Sequence, residues 1–173
     1  MKKKLYQINL GIGVLLYILL AGIGTAIADS HQRLFVIERS KNANIVCYDA
    51  RIHSDGKLNA KEPVIVYWLL KALDGRRDGL SFFDKKAYGF EVKALENNTG
   101  FIMNLAPFKK RDISIIKIGQ SIKARMLIAG FESILKKIFV SATDKNLIPK
   151  VNYIELFGTN IRTGKATYEK ILH

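Results

Sequence analysis

The sequence has little of the chemistry by which catalytic or disulfide-stabilised domains are usually recognised. Its 173 residues include one cysteine, three prolines and three histidines. A single cysteine excludes an internal disulfide, and the low proline content with 49% hydrophobic residues argues against disorder. The patterns G-x-S-x-G, H-E-x-x-H and C-x-x-C do not occur. We therefore expect no metal, no cofactor and no catalytic set that can be named from the sequence.

Acidic residues are missing from the first 28 positions, which open with Lys2, Lys3 and Lys4. An uncharged and mostly apolar run follows, and it ends in the A-x-A pattern Ala26-Ile27-Ala28. A basic head, an apolar middle and a small-residue tail predict a signal peptide cleaved after Ala28. The alternative is an uncleaved membrane anchor, because a span needs roughly 20 apolar residues. Both alternatives export residues 29–173, which would be periplasmic or secreted, or anchored in the inner membrane facing the periplasm.

The charge of the chain is strongly positive. Taking the three lysines of the first 28 residues from the formal charge of +13 leaves +10 on residues 29–173. Such a charge is informative about partners and not about fold. Outside the inner membrane, the expected partners are anionic lipid, lipopolysaccharide or another envelope protein, and nucleic acid is not expected. The charge could also serve solubility alone.

The dominant hydrophobic period after residue 29 is two. Val46, Tyr48 and Ala50 alternate with Cys47 and Asp49, which is typical of a half-buried strand. The run at 64–70 is apolar on both faces and predicts a central strand. Further strands are predicted at 34–39, 88–94, 101–105, 113–118, 122–128, 151–157 (ended by Gly158) and 166–171. We expect nine or ten strands in a single, mainly all-β domain over 29–173, an antiparallel β-sandwich or barrel.

Two segments could be helical. Ser81, followed three residues later by Asp84, is a weak capping box and predicts one short helix. Ile134, Leu135 and Ile138 could form a helical stripe, but the β-branched residues near Val140 favour a strand.

Several blocks of the sequence together resemble a known family. The blocks are PVIVYW at 63–68, DGRR at 74–77, AYGF at 87–90, YIELFG at 153–158 and TGK at 163–165. They are similar to a family of exported bacterial proteins described only as a domain of unknown function, number forty-eight thirty-three. The resemblance spans nearly all of residues 29–173. It implies one β-rich domain and no known reaction.

Basic residues beside aromatic ones are the candidate binding site. Arg76 and Arg77 precede the Phe82-Phe83 pair, and Lys109, Lys110 and Arg111 follow Phe108. Rings at an interface with cations on headgroups suit a surface that meets an anionic or amphipathic ligand. The alternative is a solvated rim over ordinary core aromatics. The preferred function is a non-enzymatic envelope protein that binds such a ligand or a membrane surface through these five residues.

Two other functions remain open. One is an enzyme whose scattered site, Asp49, Glu91, Tyr153 and Glu155, would open into a cavity of the β domain. The other is a structural or assembly role through an exposed strand edge. Cys47 also has two interpretations, a thiol activated by Arg51 or an inert small hydrophobic residue.

Overall fold

The computed structural model of the chain describes residues 29–96, 99–108, 110–143 and 150–172. The predicted signal segment and Lys109 lie outside these residues. Within these residues strands dominate, with one α-helix, α1 (Phe82–Tyr88), and two single-turn 3-10 helices at Lys71–Leu73 and Ala106–Phe108. The strands are β1 (Ser30–Arg39), β2 (Asn42–Ile52), β3 (Val64–Leu70), β4 (Arg76–Asp78), β5 (Phe90–Ala94), β6 (Gly100–Leu105), β7 (Ile113–Ile118), β8 (Ser121–Ile128), β9 (Phe131–Thr143), β10 (Lys150–Asn160) and β11 (Ala166–Leu172).

The predicted mainly β class is confirmed, with one short helix. All eleven strands belong to one sheet of order β4-β3-β2-β1-β9-β8-β7-β6-β5, and β10 and β11 branch from β9. Every ladder is antiparallel except the one between β1 and β9. In the described part of the chain no ladder joins β4 to β5, so the sheet does not close into a barrel. It folds over a shared core instead, as in a sandwich.

The sheet folds over its core because β9 changes its neighbouring strand on one side halfway along its length. On one side β9 pairs with β10 over most of its length. On the other side it pairs with β8 through 131–134 and then with β1 through 137–140. Lys136, between these two stretches, is skipped in the β10 ladder as a β-bulge. A bulge bends and twists its strand, so the sheet divides here into a β1–β4 arm and a β5–β8 arm.

The main core lies between the two arms. Phe35 on β1 stacks on Tyr48 of β2 at 4.5 Å between ring centroids, and Tyr48 meets Phe90 of β5 edge-to-face at 6.1 Å. Residues of β6, β7, β8, β9 and β10 complete the same buried cluster. Val46, Tyr48 and Ala50 all belong to it, as the alternation predicted. Cys47 belongs to a second cluster with Ile45 and Tyr67 on the other face.

Helix α1 covers the opening between the two arms. Ser81 caps it and forms the full capping box with Asp84, so this weak sequence signal is confirmed. The Asp84 carboxylate is also hydrogen-bonded to the Trp68 side chain of β3. At the other end of α1 the Tyr48 hydroxyl donates to the Tyr88 carbonyl at 2.6 Å. None of the described helices is both long and apolar enough to cross a membrane.

Several predictions about strands differ from the structure. The described strands number eleven instead of nine or ten, and the strand predicted at 88–94 begins only at Phe90, because Tyr88 is the last residue of α1. β10 continues through Gly158 to Asn160 instead of ending there. A Cβ at Gly158 would lie 2.8 Å from the Ile134 carbonyl oxygen, so glycine permits close strand contact here instead of a turn. β3 is not central but lies beside the edge strand β4. β4 itself was not predicted, because its exposed Arg-Arg-Asp sequence has no apolar alternation.

Candidate functional site

A cavity of about 220 Å³ lies where the two arms of the sheet diverge. One wall comes from β1, β9 and β10, and the other comes from α1, the end of β6 and the 3-10 turn at Ala106–Phe108. Ala87 and Pro107 are exposed and lie at its solvent side. The cavity is lined by Ile37, Arg39, Ala87, Tyr88, Leu105, Pro107, Phe108, Ile138, Val140, Ala142, Val151 and Ile154.

One cation interrupts this apolar lining. Arg39, the last residue of β1, is half-buried and is hydrogen-bonded to the side chain of Tyr88. Burial raises the pKa of the Tyr88 phenol above its ordinary value, and Arg39 partly opposes that rise. The phenol is therefore a neutral hydroxyl at physiological pH. A guanidinium has five N–H donors in a planar fork that matches a carboxylate or phosphate.

The size and lining of the cavity limit what it can hold. An apolar cavity of about 150 Å³ is large enough for benzene, and ordinary ligand sites reach roughly 300–1,000 Å³. A volume of about 220 Å³ thus suits one ring or a short alkyl segment. An apolar body inside with an anionic group at Arg39 is the arrangement that these walls favour.

Of the five predicted basic residues, the four that the structure describes do not line this cavity. Arg76 and Arg77 are exposed on the edge strand β4. The Arg77 guanidinium lies over the ring of Tyr67 on β3, 4.7 Å from its centroid. An anion-binding role for Arg76 and Arg77 stays a prediction.

Lys110 and Arg111 lie in a different place, a surface groove of about 590 Å³. Arg111 makes a two-pronged ion pair with Glu169 of β11. The hydrogen bonds of this pair raise the pKa of Arg111 and lower the pKa of Glu169. Three basic and three acidic residues share the groove, so its charges balance. The role of Lys110 and Arg111 stays a prediction, and Lys109 lies outside the described residues.

The four residues suggested for an enzyme do not converge on one cavity. Asp49 lies on the face of β2 opposite the main core, where Arg33 and Tyr67 donate hydrogen bonds to its carboxylate. Glu155 accepts a 2.7 Å hydrogen bond from the Tyr168 hydroxyl, and the Lys170 amine lies 3.8 Å from the Tyr153 ring centroid. These contacts join β10 to β11. Glu91 lines a third cavity beside Lys85 and Asn104.

Cys47 has the properties of the inert interpretation. Its side chain is buried, and this burial raises the pKa of the thiol. The cation that most opposes this rise in the pKa is Arg33, on the neighbouring strand, and not Arg51. A buried thiol with a raised pKa is a poor nucleophile.

Sequence reasoning missed Arg39 and Tyr88, the two polar groups of the cavity. Arg39 precedes a turn, and Tyr88 occupies a core-facing position of a predicted strand, so neither stands out. They are 49 positions apart, and only the folding of the sheet brings them together. The AYGF block includes Ala87 and Tyr88, and the YIELFG block includes Ile154, but neither block indicates a cavity by itself.

Fold and site together define a class, a mainly β domain with one sheet folded over a core and a small apolar cavity between its arms. The chain belongs to the family of the domain of unknown function DUF4833, whose profile matches residues 35–170. This match confirms the resemblance noted in the sequence. No curated protein and no solved structure matches the chain.

Proposed function

We propose that this chain is an exported, non-enzymatic binding protein for an anionic amphiphile. The cavity between the arms takes the apolar part of the ligand, a short alkyl segment or the end of an acyl chain. Arg39 binds the carboxylate or phosphate, and the Tyr88 hydroxyl stands beside it. The observation that supports this proposal most directly is the Arg39 guanidinium among mostly apolar side chains in the described lining of the cavity.

The distribution of charge supports an anionic ligand over a neutral or cationic one. Among the described residues that line the cavity, Arg39 is charged and none is an Asp or Glu. A charge-assisted hydrogen bond is about twice as strong as a neutral one. A ligand carboxylate would add to the bond that Arg39 already makes with Tyr88.

The proposal includes export, because the protein must reach the compartment that contains the amphiphile. The basic head, the apolar run and the Ala26-Ile27-Ala28 tail support it. The +10 charge of residues 29–173 suits an envelope rich in anionic lipids.

Calorimetric titration with decanoate, decanol and decylammonium tests the ligand class. We expect decanoate to bind most tightly and decylammonium most weakly. Trp68 is the only tryptophan in the chain and lies edge-to-face on Tyr88 at 5.2 Å. A brominated decanoate should therefore quench its fluorescence more than decanoate does, because bromine would lie one side chain away.

Two variants separate the head of the ligand from its tail. Arg39→Gln should weaken decanoate binding about tenfold and leave decanol unchanged, because it removes a charge-assisted contact worth roughly 1.5–3 kcal/mol. Ala142→Leu fills the cavity and should weaken both ligands. Ala166→Leu, at an exposed position of β11, is the matched control and should bind as the unsubstituted protein does. Equal binding of the three ligands, insensitive to both cavity variants, would contradict the proposal.

A further inference from the structure

Helix α1 presents two neighbouring aromatic rings to solvent. Phe82 and Phe83 are 71% and 77% exposed, the most exposed aromatic side chains in the described part of the chain. Their rings pack edge-to-face at 5.8 Å. The Lys86 amine lies 5.3 Å and 5.9 Å from the two ring centroids. Phe82 and Phe83, with the exposed lysines Lys85 and Lys86, form an aromatic tip on the helix.

The exposure of these rings is built into the fold. Ser81 and Asp84 cap the first turn of α1, and Trp68 holds Asp84 from β3. The Tyr48 hydroxyl holds the last residue of the helix through the Tyr88 carbonyl. With both ends fixed to the core, the helix cannot turn Phe82 and Phe83 inward without breaking these bonds.

The aromatic tip and the ligand cavity share one helix. Ala87 and Tyr88 line the cavity and follow directly after Lys85 and Lys86. One helical turn therefore separates rings that face solvent from the residues at the mouth of the cavity. A surface that covered the aromatic tip would lie beside the entrance.

From this arrangement we propose that the aromatic tip docks on an anionic lipid bilayer and that the amphiphile passes between the bilayer and the cavity beside α1. This second part rests on the proposed function. Phe82 and Phe83 enter the acyl boundary, while Lys85 and Lys86 lie at the headgroup level. The bilayer is favoured over a protein partner because the tip sets apolar rings directly beside a lysine amine and the whole chain is basic.

Vesicle co-sedimentation tests the docking. It is carried out on the full chain and on a protein that consists of residues 29–173. The vesicles are phosphatidylcholine alone or phosphatidylcholine with 30% phosphatidylglycerol. We expect binding to the anionic vesicles that weakens with salt. Phe82→Ser with Phe83→Ser should reduce it at least tenfold, because each buried ring contributes more than one factor of ten. Lys85→Gln with Lys86→Gln should reduce the preference for phosphatidylglycerol.

The matched control is a second exposed apolar pair far from α1 in the sheet order, Leu127 and Phe131 at the β8–β9 turn, 55% and 57% exposed. Leu127→Ser with Phe131→Ser should leave vesicle binding unchanged. An equal loss in this control and in the Phe82/Phe83 variant would overturn the specific role of α1. A second result would also overturn the proposal: the unsubstituted protein self-associates, the Phe82/Phe83 variant does not, and neither binds vesicles. The tip would then bind a second copy of the chain.

Further measurements separate this inference from the proposed function. In the absence of vesicles the Phe82/Phe83 variant should bind decanoate normally, and Ala142→Leu should still bind vesicles. If the unsubstituted protein did not bind decanoate, the cavity proposal would be refuted and the docking proposal would be unaffected. Passage is followed by the rate at which Trp68 is quenched by a brominated fatty acid delivered in vesicles. A rate equal in the unsubstituted and Phe82/Phe83 proteins would refute passage at the tip.

Discussion

The side chain of Gln32 on β1 makes two hydrogen bonds with the backbone of Ile122 on β8. Its amide N–H donates to the Ile122 carbonyl at 2.8 Å, and its oxygen accepts from the Ile122 N–H at 3.1 Å. Ile122 lies beyond the last residue of β8 that pairs with β9, which is Arg125. The side chain of Gln32 thus takes the place of a neighbouring strand where the two arms of the sheet separate.

Replacing Gln32 should destabilise the fold more than its half-exposed position suggests. Gln32→Leu keeps the volume but leaves the N–H and C=O of the buried Ile122 without these partners. We expect the free energy of unfolding to fall by about 2 kcal/mol. Urea denaturation measures the change. Ser30→Ala on the same strand, whose hydroxyl makes only an exposed 3.5 Å hydrogen bond, is the control, and a loss no larger than in this control would refute the assigned role of Gln32.

Tyr48 should make stability fall at alkaline pH. Burial raises the pKa of its phenol far above the ordinary value, with a smaller contribution from Tyr88. Above pH of about 10 the unfolded chain releases this proton while the folded protein keeps it, so unfolding becomes easier as pH rises, by up to about 1.4 kcal/mol per pH unit.

The variant Tyr48→Phe isolates this contribution. At neutral pH it should be about 1 kcal/mol less stable, because the hydrogen bond to the Tyr88 carbonyl is lost. Between pH of about 10 and 11.5 its stability should fall less steeply than that of the unsubstituted protein. Parallel slopes for the two proteins would show that Tyr48 ionises normally in the folded state.

The ion pair of Arg111 and Glu169 should support the fold at neutral pH and be lost in acid. The hydrogen bond from Arg111 is the main cause of the lowered pKa of Glu169, and the hydrogen bond from the Ala129 N–H adds to it. A lowered folded-state pKa stabilises the protein above the unfolded value of about 4.3, and this stabilisation disappears as pH falls through the folded-state value. Glu169→Gln should therefore cost about 1 kcal/mol at pH of about 7, with the difference shrinking below pH of about 4.

The control for this pair is Glu132→Gln. The Glu132 carboxylate is 63% exposed and lies 3.7 Å from Arg125, so its removal should change stability little at any pH. Chemical denaturation across the acid range measures both variants. A loss in Glu169→Gln no larger than in this control would refute the stabilising role of the Arg111–Glu169 pair.

Cleavage after Ala28 predicts one N-terminus for the exported protein. Intact mass spectrometry of the protein from fractionated cells should give a chain that begins at Asp29. In the structure the Asp29 carboxylate already contacts the His53 ring at 2.7 Å and the Asn59 amide at 3.3 Å. These contacts lower its pKa. A full-length chain in the membrane fraction would favour the uncleaved anchor, and an intact Met1 on a cytosolic protein would refute export.

The sequence by itself determined the start of the helix and most of the strands, because their signals are local. Alternation at 46–50 placed Val46, Tyr48 and Ala50 in the core, and Ser81 with Asp84 marked the start of α1. The ambiguity at 134–140 also has a local cause. The bulge at Lys136 breaks the period of two, so Leu135 and Ile138 are both buried at a spacing that imitates a helix.

Only the tertiary structure decided how the sheet divides and what lines the cavity. β9 pairs first with β8 and then with β1, which lies about a hundred positions earlier in the chain, and no pattern within one strand encodes such a choice. Arg39 lines the cavity because folding places it beside apolar side chains of β9 and β10. In the sequence it is one of 28 basic residues. A charge acquires its chemistry from the solvent and partners that folding leaves around it.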